Sequence, residues 1–411
     1  MKTVKVSLLF CLIIGLFKPA SIDAQEAIAR SVIKTDTGSG NKEVHSKSGQ
    51  RLDGYYKILH NDNSYQLANF KDGLLNGPYK DCTKKDVVLR EGTFSNGEKD
   101  GEWSIYYNSG VLERKEVYRK GKAEGVWSFH KGMNPKPSRE VVYKNDEMIE
   151  ERLYHYGGSL GRTGYFKDEL KTGEWKEYFE SGKIFEITNY SANQKNGLYE
   201  RYYPNGQLRQ KGTYKNDKLA GNWIFYFENG KTDTKITTTP SGSYDYEIFF
   251  QNGNMKEKGT ALDERMRRYD KTLYKYYENG QLQSETLYDK GDKISSKEYY
   301  NNGTIKEVAT YKKDRPIGIY EVYYENGQLK ESTTYDSEKL NSGYTGYVKN
   351  GLYKSFYENG LLKEEGMYQS DEKDGIWKSL KSDGQPYFIE KYKNGQLIEN
   401  VSKEEYPKYL K

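Results

Sequence analysis

Along most of the chain, apolar and aromatic positions alternate with polar ones every second residue, break at a glycine-containing corner and then resume. Period-two alternation predicts β-strands with one buried face. Trp103, Ile105 and Tyr107 fall on one face with Tyr106 on the other, and Trp223, Phe225 and Phe227 oppose Ile224 and Tyr226 in the same way. The first face is expected to be buried. The opposite face keeps one aromatic per strand pair, flanked by Lys, Arg and Glu, and is the candidate working surface.

An aromatic pair, one spacer, then Asn or Ser and Gly closes nine of these runs. The pairs are Tyr106-Tyr107, Tyr178-Phe179, Tyr202-Tyr203, Tyr226-Phe227, Phe249-Phe250, Tyr276-Tyr277, Tyr299-Tyr300, Tyr323-Tyr324 and Phe356-Tyr357. Asn-Gly between aromatic or β-branched runs predicts a two-residue type I′ hairpin, because both residues tolerate positive φ. With Asn326-Gly327 as that loop, Glu325 would face Gln328, Tyr324 Leu329, Tyr323 Lys330, and Tyr320 Thr333. A wider turn such as Lys215–Ala220 would lead into the next copy. Glycines at the head of each copy set the period: Gly101, Gly125, Gly173, Gly197 and Gly221 lie 24, 48, 24 and 24 residues apart. A motif returning at a fixed interval marks a stack of small units. A lone hairpin is marginal in water, so each unit must shelter its aromatic face on its neighbours. The predicted fold is all-β, an elongated, solenoid-like array of stacked antiparallel β-hairpins in a single-layer twisted sheet.

The array is placed at residues 54–400, in about 14 units of about 24 residues. Two stretches break the period and are read as insertions, a helix-like one over Ala261–Tyr269 and a second over Asp336–Asn350. Lys2 and Lys5 before the apolar run Val6–Phe17, followed by Pro19 and Ala24, predict a secretory signal peptide over 1–24. That run is too short to span a bilayer, which takes about 20 residues, so no transmembrane segment is expected after cleavage. Residues 25–53, with Thr35-Asp36-Thr37-Gly38-Ser39-Gly40, are expected to be a flexible lead-in, and 401–411 a charged tail.

Composition narrows the chemistry. Tyrosine is 41 of 411 residues, which suits a narrow aromatic core. The net charge of +5 falls close to zero once Lys2, Lys5, Lys18 and Asp23 leave with the signal peptide. Both signs are interleaved through every unit, so there is no basic stripe to neutralise phosphates, which argues against nucleic acid. Cys82 would remain as a lone cysteine and is read as a semi-buried strand residue.

Three catalytic motifs were weighed and set aside. Gly157-Gly158-Ser159-Leu160-Gly161 fits a nucleophile elbow, but no histidine follows His155 and another strand comes next. Asp36-Thr37-Gly38 lacks the second aspartate of an aspartic-protease dyad. His45, His60, His130 and His155 are scattered without metal-ligand spacing. No catalytic residue, cofactor or metal is therefore expected.

The copies Gly197-Leu-Tyr-Glu-Arg-Tyr-Tyr-Pro-Asn-Gly-Gln-Leu208 and Gly318-Ile-Tyr-Glu-Val-Tyr-Tyr-Glu-Asn-Gly-Gln-Leu329 resemble the variant form of the MORN repeat, and the chain is similar to bacterial proteins of the YwqK-type antitoxin family. The resemblance runs from Gly54 to Leu397. It implies a β-hairpin scaffold or recognition surface without catalysis of its own. The expected function is an exported bacterial scaffold, in the periplasm, on the outer-membrane surface or outside the cell, whose partner is another protein, with an immunity-like role as a narrower version. The alternative is a cell-envelope glycan binder. The candidate binding residues are Tyr106, Tyr178, Tyr202, Tyr226, Phe249, Tyr276, Tyr299, Tyr323 and Phe356.

Overall fold

The computed structural model describes residues 26–339 and 345–410; the proposed signal peptide lies outside them. Two compact units are present, one made of the chain up to Lys183 with Tyr190–Asn193, the other of Ile184–Asn189 with the chain from Gln194 onward. Each is built from antiparallel hairpins whose consecutive strands pair edge to edge. In the second unit, Gln194–Tyr202 pairs with Leu208–Lys215, which pairs with Lys218–Tyr226, and so on to Gln396–Asn400. The all-β hairpin array expected from the alternation is what each unit shows.

The corners differ from the expectation in an instructive way. Tyr320 does face Thr333, but Tyr323 faces Leu329, with a bulge between Val322 and Tyr323. The Gly327 N–H donates to the Tyr324 carbonyl, and the Tyr324 N–H to the Gln328 carbonyl. Only Gly327 of the pair has positive φ, at 86°. The loop is therefore three residues long, a turn closed by a glycine bulge, rather than a two-residue type I′ turn. The asparagine side chain decides this: Asn326 Oδ1 accepts the Gln328 N–H at 2.9 Å, a local bond that holds Asn326 out of the left-handed region. The two-residue loops with positive φ at both positions lie at the other end of the strands. There Asn216 and Asp217 have φ of 50° and 64°, and Lys215 pairs directly with Lys218. The tight and wide turns are thus exchanged relative to the sequence reading.

Inside the strands, the aromatic face packs in one repeated way. Trp103, Trp223 and Trp377 are each 1% exposed. A Cβ added to Gly92, Gly212 or Gly366 would overlap the indole of Trp103, Trp223 or Trp377 respectively. Each indole lies flat over a bare stretch of neighbouring backbone, and its Nε1–H donates to the carbonyl ten residues earlier: Trp103 to Thr93, Trp223 to Thr213 and Trp377 to Met367, at 3.0–3.2 Å. Flanking rings close in edge-on, with Tyr214 4.8 Å from Trp223. Burial fades toward the corners. Ile105 is only partly buried and Tyr107, expected to be buried, is exposed.

Four segments depart from their expected character. Residues 25–53 are not a flexible lead-in where they are described. Glu26–Ala29 pairs in parallel with Gly54–Leu59, and Ile33–Thr37, Glu43–Lys47 and Gln50–Arg51 form a small sheet of their own. Ile28, Ile33 and Leu52 bury themselves against Ile58 and Phe70, covering the aromatic face of the first described hairpin. The 401–411 tail caps the other terminus: Val401 and Tyr406 are buried on Ile389, with a 3-10 helix over Lys403–Lys408; Lys411 lies outside the described residues. The stretch Ala261–Tyr269 is a loop rather than a helix, because Asp263 Oδ1 accepts the Arg265 N–H and Oδ2 the Arg268 N–H. The 336–350 insertion lengthens one hairpin: Asp336 pairs with Val348 and Ser337 with Tyr347, while residues 340–344 lie outside the described residues.

Gly212→Ala should destabilise the protein by about 1–3 kcal/mol through overpacking against Trp223. Gly157→Ala, where nothing lies within 4 Å of an added Cβ, serves as the near-neutral control. Urea unfolding followed by tryptophan fluorescence checks the pair; equal midpoints would remove the indole–glycine contact from the account.

Candidate binding surface

The strand face opposite the tryptophans carries three lanes, each one side chain wide and running from strand to strand. Period-two alternation generates them, because residues at equivalent positions in successive units fall in line across the sheet. The middle lane is ionic. Lys80 meets Glu91 at 2.8 Å, Arg152 meets Glu140 at 3.4 Å and Lys354 meets Glu365 at 3.0 Å. These pairs are partly solvated and contribute little stability; their effect is to fix side-chain positions.

The lane nearest the glycine corners holds the candidate aromatics, all nine of which are half-buried. Four give their hydroxyl to a carboxylate: Tyr106 to Glu91 at 2.8 Å, Tyr202 to Glu200 at 2.5 Å, Tyr299 to Glu285 at 2.7 Å and Tyr323 to Glu321 at 2.7 Å. Glu91 therefore joins Lys80 to Tyr106, and Glu285 joins Lys297 at 3.6 Å to Tyr299. Glu140 does the same for Arg152 and Tyr154. Among the other candidates, Phe249 lies 5.1 Å from the Lys235 ammonium. Phe356, Tyr178 and Tyr226 offer their carbonyls to a side chain of the preceding unit, and Tyr276 stands half-buried in the same row. Within each unit the candidate aromatics hold the same strand position as half-buried rings, Tyr106 and Tyr178 in the first and the other seven in the second.

The second aromatic of each pair has a role that the alternation did not reveal. Tyr203, Tyr277, Tyr300, Tyr324 and Tyr357 each donate their hydroxyl to a carbonyl in the next unit, on Tyr226, Tyr299, Tyr323, Phe356 and Leu380, at 2.8–2.9 Å. His155 Nε2 takes that position toward Tyr178, at 3.1 Å. The opposite ends of the strands are stapled by a reciprocal pair. Asp217 Oδ1 accepts the Lys195 N–H at 2.8 Å while the Asp217 N–H donates to the Lys195 carbonyl, and Asp371 does the same with Lys349. The fixed spacing of the second Tyr from the next aromatic was the available signal for these clamps.

The third lane, nearest the two-residue turns, mixes exposed aliphatic side chains with polar ones such as Asn222, Asp245 and Thr272. Leu198, Leu287, Ile319, Leu352 and Met367 in the second unit are between 41% and 59% exposed. Each sits one residue from a position packed on the aromatic face, so it points outward; Leu352 and Met367 face each other across one strand pair. Val126 and Tyr165 occupy equivalent places in the first unit.

The motifs set aside as catalytic have structural partners. Ser159 Oγ donates to the Glu180 carbonyl at 3.1 Å, and the Gly158 N–H closes a turn on His155. Asp36 is exposed and paired with Lys34. Cys82 is buried, and burial pushes its thiol pKa up, away from a reactive thiolate.

Seven segments of the chain match the MORN repeat variant. They cover residues 99–120, 171–192, 195–216, 269–290, 295–313, 316–337 and 349–370. Each carries a strand leading into a glycine corner and the returning strand. Among curated proteins none matches the chain. Among solved structures, the Photorhabdus luminescens Tc holotoxin pore with the TccC3-D651A mutation is 10% identical over 87% of this chain and 22% of that one, at a TM-score of 0.13. TcdB2-TccC3 without its hypervariable C-terminal region is 11% identical over 88% and 24%, also at 0.13. The chain spans less than a quarter of either of those chains, and at such scores the likeness bears on neither fold nor function.

The MORN-variant repeats carry tyrosines with shifted titration. Burial first, and then the hydrogen bond to glutamate, push Tyr202, Tyr299 and Tyr323 from the ordinary value near 10 to about 12. A raised folded-state pKa contributes stability that is complete below the unfolded value and lost as pH climbs through the folded one. The urea midpoint should therefore hold up to about pH 10 and fall between about 10 and 12, in step with tyrosinate absorbance. A tyrosinate transition centred at the unperturbed value would contradict the anchored-ring description.

Proposed function

We propose that the protein is a non-enzymatic, exported scaffold that binds another protein along the outward face of its MORN-variant repeats. The observation that carries this reading is the exposed aliphatic side chains on the same face as the anchored tyrosines, with the ionic lane between them. Ile319 and Leu352 at the same place in two consecutive repeats, with Met367 opposite Leu352 and Leu198 and Leu287 at related places, give exposed apolar area to bury, which is the main driving force of association. The neighbouring tyrosines are already held by Glu and Lys, so a partner would order few side chains on binding, which lowers the entropic cost. Tyrosine also supplies rigid area with a polar tip, as binding hot spots use. The balanced ionic lane offers no excess of positive charge, which continues to argue against nucleic acid.

Export rests on the composition of residues 1–24. An antitoxin-like role is the narrower form of the same proposal, with the bound protein a toxin met outside the cytosol. The glycan alternative requires broad, exposed aromatic planes. The half-burial of all nine candidate aromatics, and the hydroxyl anchoring of four of them, favours the protein partner.

Leu198→Asp, Ile319→Asp and Leu352→Asp together test the proposal. These are surface changes, each expected to alter stability by no more than about 0.5 kcal/mol. The chain should be recovered from the cell envelope beginning at Gln25, and a protein bound in stoichiometric amount to the parent should be lost from the triple variant while its circular dichroism is unchanged. Equal binding by parent and variant would count against the lane. Saturable binding to purified envelope polysaccharide, abolished by Ala at Tyr202, Tyr226 and Tyr323, would move the assignment to the glycan.

A further inference from the structure

The first unit contains a cavity of about 260 Å³ on the aromatic side of its sheet, away from the outward face discussed above. Arg30, Ile33 and His45 line it from the N-terminal segment; Phe70, Phe94 and Trp103 line it from the hairpins. The aromatic wall is rigid, with Phe94 and Trp103 edge-to-face at a centroid distance of 4.9 Å.

His45 is the unexpected member of this wall. It is 8% exposed, and its Nε2 is buried without a hydrogen-bond partner. The nearest carboxylate oxygen, on Glu43, is 3.8 Å away, beyond hydrogen-bonding reach, and belongs to a side chain that is 75% exposed. The other ring nitrogen is engaged: Thr35 Oγ1 lies 3.1 Å from Nδ1. Arg30 Nη2 donates to that same Thr35 oxygen at 3.2 Å. The threonine oxygen accepts from arginine, and the tautomer assigned to His45 is the one in which the threonine proton goes to Nδ1. That arrangement leaves the imidazole proton on Nε2, a buried donor with nothing to bind. Burial lowers the His45 pKa, so the ring is neutral at neutral pH. Native structures rarely leave such a donor unmatched.

The charged side chains lining the cavity are three cations and the largely exposed Glu43. Arg30, Arg90 and Lys99 line it. Arg90 is paired with Asp81 and Lys99 with Glu116, while Arg30 meets a backbone carbonyl and a hydroxyl rather than a carboxylate. An orphan N–H donor, an arginine without an acidic partner and an aromatic wall have one common complement, a planar ring bearing a carboxylate.

We propose that this cavity binds a small aromatic carboxylate, with its ring against Phe94 and Trp103 and its carboxylate accepting the His45 Nε2–H beside Arg30. The chain has four histidines, so isotope-labelled histidine in the full chain gives a resolved nuclear magnetic resonance readout. The probe is 4-hydroxyphenylacetate, and the matching uncharged alcohol is the control. Millimolar carboxylate should shift the His45 ring signals saturably while those of His60, His130 and His155 stay in place. His45→Phe, followed by tryptophan fluorescence, should weaken binding by about tenfold or more through loss of one charge-assisted hydrogen bond. Arg30→Gln should weaken it independently and serves if the histidine variant does not fold. No shift of His45, a shift that grows without saturation, or equal shifts from carboxylate and alcohol would each overturn the proposal.

Discussion

The structure depends on a flat ring laid on bare backbone. Where Trp103, Trp223 and Trp377 cross Gly92, Gly212 and Gly366, the absence of a side chain lets the indole reach the neighbouring strand and its N–H reach a carbonyl ten residues back. Both needs of a buried tryptophan, area and a hydrogen-bond acceptor, are met by one strand pair. A hairpin too small to have a core of its own thereby borrows one from its neighbour. The same requirement explains the ends. Ile28, Ile33 and Leu52 cover the first aromatic face, and Val401 and Tyr406 cover the region around Ile389.

Much of this was legible from the residues. Alternation in Trp223–Phe227 named the buried face, the 24-residue spacing of glycines named the unit, and the Tyr320–Thr333 pairing followed from the corner. Dihedral preference alone misassigned the corner itself. Asn-Gly satisfies a type I′ turn, but Asn326 Oδ1 bonds the Gln328 N–H and converts it to a three-residue loop. The Asn216-Asp217 turn looked wider because Asp217 was not seen to be needed by Lys195 in the adjoining strand. Residues 25–53 looked flexible because polar residues outnumber apolar ones, and the value of Ile28, Ile33 and Leu52 comes only from the face they cover. Local composition cannot register a partner supplied by the fold.

The outward face follows the same logic. The nine aromatics read as a binding row are half-buried, and most have a hydroxyl or carbonyl engaged with a glutamate or with the adjoining hairpin. Glu91 and Glu285 each tie a lysine to a tyrosine, so the middle of the face is preset. The most accessible apolar atoms lie one lane away, on Leu198, Ile319 and Leu352. Those residues sit next to core positions in sequence, which hid them: in an alternating strand an outward leucine looks like an imperfection in the pattern. A repeat that uses its aromatics for cohesion leaves its more accessible apolar area at these aliphatic positions.

If cohesion is truly between neighbours, the number of units is a variable and not a requirement. Removing residues 197–220 deletes one unit and brings Gly221 into the place of Gly197, with Trp223 taking the place of Tyr199. The account predicts a cooperatively unfolding protein with the same ellipticity per residue and preserved tryptophan near-ultraviolet bands. A deletion variant that lost both, behaving as an unfolded chain, would contradict nearest-neighbour stacking as the basis of the fold.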